Sequence, residues 1–271
     1  MLAATAGVGL FLKENHERLG PAAIAALLGA AAVACLVYVA RRSPAFSWQR
    51  VEAPHVAVDY VLLLGVLLLA SDLAYVETQF RVLGPRWPYH LLLVSLISLA
   101  AAYRFDSRIV LSLALSSFAA WRGVAVTLPF AADPGRSAAA VRANAIACGV
   151  AFVAAGILSA RSKRKPHFEP VWTTLGLLLL FGGTLSGVFG GSAWALWEGV
   201  LFVLAGLVAA VAYRLRRPLD FAIATIAAYL GLLRILSDVF KERVFLLVVA
   251  GSSLAVIALL VRSHRRMKVP A

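Results

Sequence analysis

The sequence predicts an all-α fold, a polytopic bundle of about nine transmembrane helices preceded by a partial helix. Three observations point there. Hydrophobic residues fill 62% of the 271 positions and charged residues only 14%, where soluble domains average roughly 45–50% and 25%. Mean hydropathy is +0.87. The apolar residues form continuous runs instead of alternating, which excludes a β-barrel. A crossing takes about 20 residues, because ~1.5 Å per residue must cover ~30 Å. Nine crossings use about 180 residues, and the remainder supplies loops and tails. The whole of 1–271 is therefore expected as one integral membrane domain.

The elements follow in chain order. Residues 1–12, MLAATAGVGLFL, are apolar but span only about 18 Å as a helix. They lack the basic start and A-x-A site of a secretory signal, so they read as half a helix ending at Lys13. Spans are expected at 21–40, 56–76, 88–103, 108–131, 138–160, 171–189, 192–213, 219–236 and 244–261. Stretches 143–160, 171–197 and 244–261 contain no charge at all. The short span at 88–103 needs tilt or local thinning of the bilayer. Breaker residues sit between the spans: Pro44 and Pro54, Pro85 and Pro88, Pro134 with Gly135, Pro166 and Pro170, Gly190 with Gly191, and Pro218.

Alternate loops differ in charge. The segment before residue 21 and the even-numbered loops carry seven Lys and Arg; the odd-numbered loops and the C-terminal tail carry sixteen. Basic loops stay cytoplasmic, so the C-terminus is expected inside and segment 13–20 outside, in a cell membrane of bacterial cytoplasmic type. The same residues make up the net charge of +13. Spread over helix ends, they suit anionic membrane lipids as partners rather than nucleic acid. The densest run, Arg161-Ser162-Lys163-Arg164-Lys165, is expected to anchor at the headgroups. Cys35 and Cys148 lie inside spans, form no metal spacing and read as small packing residues.

Two halves resemble each other. Ala101-Ala102-Tyr103-Arg104 matches Val211-Ala212-Tyr213-Arg214 at an offset of 110, Trp87 falls on Trp197 at the same offset, and Leu64–Leu69 resembles Leu175–Leu180 at 111. Parallel four-helix repeats over 21–131 and 138–236 would explain this, with 244–261 as a last helix; such repeats occur in transport folds. Chance similarity between Ala- and Leu-rich helices is the competing explanation. Small residues at every fourth position mark helix-packing faces: Ala22, Ala26, Ala30 and Ala34; Ala143, Ala147, Ala151 and Ala155; Gly183, Gly187 and Gly191. They are expected inside the bundle, though the same faces also suit a homo-oligomer.

Ionisable residues within spans are costly and point to function. Asp72 lies about 24 Å from the inner start of its span, Arg122 about 21 Å from that of its own, and Glu198 about 9 Å below the outer start of the seventh. His90 and Glu77 lie at outer ends. Asp72, His90, Arg122 and Glu198 are the candidate binding residues of a polar pocket in the outer half of the membrane. Asp72 and Arg122, at matching depth, also suit a structural ion pair. Glu77, Arg142, Arg234 and Asp238 lie near boundaries, where their heads can reach water. The inner halves are read as almost free of charge, with Asp59 close to its boundary.

The sequence has no P-loop, no H-E-x-x-H, no clustered Cys and His, no G-x-S-x-G and no paired Ser and Lys. No catalytic residue, metal site or cofactor is assigned, and an intramembrane enzyme is the weakest of three functional readings. The first is a transporter-like protein or binder of a small or lipid-linked ligand. The second is a structural or assembly subunit of a membrane complex.

The opening stretch Gly7-Val8-Gly9-Leu10-Phe11-Leu12-Lys13-Glu14-Asn15-His16-Glu17-Arg18-Leu19-Gly20-Pro21 resembles the first helix and outer loop of bacterial predicted membrane proteins of the domain of unknown function 2157 family. Asn15 matches the family's Asn-Trp pair, and His16 replaces the Trp. The resemblance covers about 70 residues. It implies a bacterial membrane protein and brings no activity, cofactor or site residue.

Overall fold

A computed structural model describes residues 20–50, 56–130, 132–190, 193–240 and 242–268. Among them there are nine α-helices and no strand: α1 Pro21–Arg42, α2 Val56–Phe80, α3 Tyr89–Phe105, α4 Arg108–Thr127, α5 Pro134–Arg161, α6 Glu169–Gly190, α7 Trp194–Arg214, α8 Pro218–Val239 and α9 Glu242–Lys268. Eight are long and apolar enough to cross a membrane, and α3, at 17 residues, is the short one. The expected leading half-helix, most of the stretch that resembles a known family, and His55 lie outside the described residues.

Every expected span has its helix, but several helices run further. The second continues to Phe80, α5 begins at Pro134, and α9 reaches Lys268. Apolar length marks the hydrocarbon slab, whereas the backbone ladder continues until a breaker or cap stops it. A breaker acts after α4, which gives way at Thr127 to a 3₁₀ turn, Leu128–Phe130. Pro129 there lacks an N–H and its ring crowds the preceding turn.

The chain divides into two compact units, one of Met1–Ala125 with Ile157–Val171, the other of Val126–Gly156 with Trp172–Ala271. In the first, α1 buries Ile24, Leu28, Ala32 and Val39, all on one helical face, and its main neighbour is α2. Gly65 allows that approach: a Cβ there would lie 2.9 Å from the Cβ of Cys35. In the second, Leu177, Phe181 and Val188 of α6 pack with Leu201 and Ala205 of α7 and Ala224 and Ala227 of α8. Close contact of α5 with α6 rests on Gly149 and Gly176. A Cβ on Gly149 would meet the Gly176 carbonyl oxygen at 2.7 Å, and one on Gly176 would meet the Gly149 carbonyl oxygen at 2.8 Å.

The two alanine stripes do not face inward. Ala22, Ala26, Ala30 and Ala34 are exposed, as are Ala143, Ala147 and Ala151. The buried face of α5 is instead Asn144, Cys148, Gly149, Phe152 and Gly156. Hydrocarbon chains accept an alanine face as readily as a protein neighbour does, so a small stripe alone does not identify the packed side. The glycine row does pack. Gly183 lies against Ile146, and Gly187 lies under the Trp197 ring; Gly191 is outside the described residues.

Helices α3 and α7 terminate alike. The Ser107 N–H donates to the Ala102 carbonyl at 3.1 Å, and the Arg217 N–H to the Ala212 carbonyl at 2.8 Å. The residues before them, Asp106 and Arg216, are left-handed with φ of 62° and 54°. Both ends are Schellman caps, and each equivalent pair is 110 residues apart. Large apolar side chains face outward throughout, such as Leu246, Leu247 and Leu254 at 67–75% exposure on α9. Water would not tolerate so much contiguous apolar surface, and the chain is a multi-pass membrane protein.

Candidate functional site

The basic loops define one end of each unit, and the expected site residues lie toward the other. In the first unit that far end is the turn from α2 to α3. The Glu77 Oε2 accepts the Leu83 N–H at 2.8 Å, which folds the turn back onto α2. A 3₁₀ turn, Gly84–Arg86, leads into α3. Ala74, Glu77, Thr78, Arg81, Gly84, Pro85, Trp87 and His90 line a cavity of about 580 Å³ there. His90 Nδ1 lies 2.5 Å from the Trp87 carbonyl oxygen. A carbonyl only accepts, so Nδ1 carries the proton of this bond. The imidazole stacks on the Trp87 ring with centroids 5.8 Å apart. The cavity thus offers a carboxylate, a guanidinium, an imidazole nitrogen and an indole face. Volumes of about 300–1,000 Å³ are usual for small-ligand sites.

Asp72 and Arg122 do not line this cavity, and no ion pair joins them among the described residues. Asp72 turns to α1 instead. Gly29 makes room for its carboxylate: a Cβ on Gly29 would lie 3.1 Å from Asp72 Oδ2. Asp72 Oδ1 is buried with no hydrogen-bond partner among the described residues, and so is the hydroxyl of Tyr75, one turn further along the same face of α2. Each such orphan costs about 1–3 kcal/mol. The Arg122 guanidinium lies 5.8 Å from the centroid of the Trp121 ring, which also packs against Tyr89 and Phe118.

Glu198 belongs to the second unit. It is 6% exposed, and its Oε1 is buried without a hydrogen-bond partner among the described residues. Arg234 and Asp238 of α8 are its charged neighbours, and they pair with each other. Of the four candidate residues, then, Asp72, His90 and Arg122 share a unit, and only His90 lines its cavity.

The basic end of the first unit carries a cluster that the sequence does not announce. Lys165 was expected at the headgroups, yet its side chain is 1% exposed. Its Nζ lies 3.2 Å from Asp106 Oδ1, and Asp106 is itself 3% exposed. The same oxygen takes His167 Nε2. The ammonium sits between the rings of Phe46 and Phe168, at 5.5 and 5.9 Å from their centroids. The Lys165 N–H donates to the Trp48 carbonyl at 2.8 Å. The Asp106 carboxylate thereby ties loop 106–107 to loop 162–168, and Lys165 extends the tie to loop 43–50 through Trp48 and Phe46. The densest basic run is therefore not uniformly lipid-facing. Arg161, Lys163 and Arg164 are exposed, and Lys165 is not, because the left-handed Lys163 and Lys165 (φ 55° and 50°) turn the loop back on itself. A local signal exists only in hindsight. Asp106 follows Tyr103-Arg104-Phe105 at a helix end, where a left-handed cap favours Asp or Asn.

No group of three or more His, Cys, Asp and Glu capable of holding a metal ion occurs among the described residues. No family model matches the chain, nor does any curated protein or solved structure.

Proposed function

We propose that this chain is a transporter-like protein of a bacterial cytoplasmic membrane that binds a small polar or lipid-linked ligand on its extracytoplasmic side, with the C-terminus in the cytoplasm. The cavity at the α2–α3 turn carries this reading, because opposite charges and an aromatic face meet there in a volume of ligand size. The sixteen-to-seven bias of basic residues supports an outside position for that turn. The orphaned Asp72 Oδ1 and Tyr75 hydroxyl continue polar capacity down α2 below the cavity. The matched caps of α3 and α7 favour parallel repeats, an arrangement common among transporters. The bacterial setting draws on the resemblance of residues 7–21.

A second reading, a structural or assembly subunit, draws on the Asp106 clamp, which joins loops and needs no ligand. Native mass spectrometry of the purified full-length protein separates the two. A bound mass on wild type that is lost from His90→Ala and Glu77→Ala, with both variants folded, is the expected result. No bound mass on any form, together with a protein subunit retained through gentle solubilisation, overturns it in favour of the subunit.

A further inference from the structure

Glu198 poses a problem that the cavity in the other unit does not solve. A carboxyl 6% exposed, with one oxygen lacking any hydrogen-bond partner among the described residues, is costly to bury if it stays charged and unneutralised. The cations around it have other partners. Arg234 donates to Asp238 Oδ1, lies 3.4 Å from the Ser237 hydroxyl, and sits over the Trp194 ring at 5.4 Å. On α5, Arg142 donates to the Ser186 hydroxyl and carbonyl and lies 5.3 Å from the Trp197 ring. No ion pair reaches Glu198 among the described residues.

We propose that Glu198 is a proton-exchanging carboxyl, binding a proton on its unpartnered oxygen and releasing it from within the membrane. The step is a plain protonation: an O–H bond forms on the carboxylate as a hydronium ion gives up its proton and becomes water, and release is the reverse. A metal cation fits poorly, because a hard cation needs a shell of several oxygens. The neighbouring carboxylate, Asp238, is already ion-paired with Arg234. Glu198 lies only four residues inside the start of α7, about 6 Å along the helix axis, so the proton has a short path to the membrane surface. Intramembrane acids that exchange protons are a recurrent device of pumps and transporters.

The test is labelling with dicyclohexylcarbodiimide, an apolar reagent that attacks a protonated carboxyl. The full-length protein in detergent is labelled over a range of pH, and the adduct is located by peptide mass spectrometry. The expected result is an adduct at Glu198, none at the half-exposed, ion-paired Asp238, and labelling that falls about tenfold per pH unit above its midpoint. The adduct at that peptide disappears in Glu198→Gln, and sodium at fixed pH leaves the wild-type signal unchanged. Absence of label at Glu198 at every pH, in folded protein, overturns the proposal. Protection by sodium also overturns it and assigns a metal cation to the site. The wild-type measurement decides even where Glu198→Gln fails to fold, and it is independent of any ligand bound at the α2–α3 turn.

Discussion

Replacing Asp106 by Asn tests the clamp at the basic end of the first unit. Asn keeps the shape of the side chain and, like Asp, is among the non-glycine residues that tolerate the left-handed backbone at φ 62°, so the substitution removes charge without straining the cap. What remains is a Lys165 ammonium 1% exposed, held between two phenyl rings with no carboxylate, and a His167 that has lost its charged acceptor. Removing one member of a buried ion pair costs about 3–5 kcal/mol, because the other charge stays buried and uncompensated. Lys165→Met takes the ammonium from Asp106 and is expected to cost a similar amount. The double variant buries no stranded charge. Its cost is expected to fall short of the sum of the singles by about 1–3 kcal/mol, the range for residues in one network. Unfolding of the detergent-solubilised protein by denaturant, followed by tryptophan fluorescence, measures all three, with exposed Arg161→Ala as a control within about 0.5 kcal/mol of wild type. Single variants as stable as the control, or a double variant equal to the sum of the singles, would refute the clamp.

Other expectations follow from packing. Gly149→Val puts a Cβ 2.7 Å from the backbone of α6, which cannot yield as a side chain can, and should destabilise by about 3 kcal/mol. Ala26→Leu and Ala147→Leu, on exposed faces, should change stability by less than about 0.5 kcal/mol; a large loss in the same unfolding assay would put those stripes back inside. The Tyr229 hydroxyl meets the Ser252 and Ser253 hydroxyls and the Val249 carbonyl at 2.8–3.2 Å. These are polar ties to a helix whose few buried residues, such as Ser263 and Met267, lie near its C-terminal end. Tyr229→Phe should cost about 1 kcal/mol, seen as faster hydrogen exchange confined to α9.

The helices were legible because apolar length is a direct requirement of the bilayer, and each of the nine expected spans has its helix. Helix ends were less so, since Glu77 and Arg136 stay helical beyond the hydrocarbon. Which face packs was not legible from alanine spacing: Ala30 faces out, while its neighbours Ala32 and Gly29 face in or sit against Asp72. Matching depth along two helices also says nothing about rotation about their axes, so Asp72 and Arg122 could sit level and still not pair. The Lys165 clamp was invisible for another reason. It joins residue 106 to residues 165 and 167 some sixty positions away in another loop, and a run of basic residues has the same composition whether one member turns inward or all face lipid. His90 was found because, of the five histidines, it alone could lie within an expected span, and Glu198 because a charge in an apolar run is costly wherever it lies.

The proposed function depends above all on which side of the membrane the cavity opens. Single cysteines at Thr78, on the cavity wall, and at Ser162, in the basic loop, can be probed with a membrane-impermeant maleimide in spheroplasts, with Cys35 and Cys148 replaced by alanine. The account predicts that Thr78→Cys labels from outside in intact spheroplasts and Ser162→Cys only after permeabilisation. Labelling of Thr78→Cys only after permeabilisation, or of both positions from the same side, would contradict it.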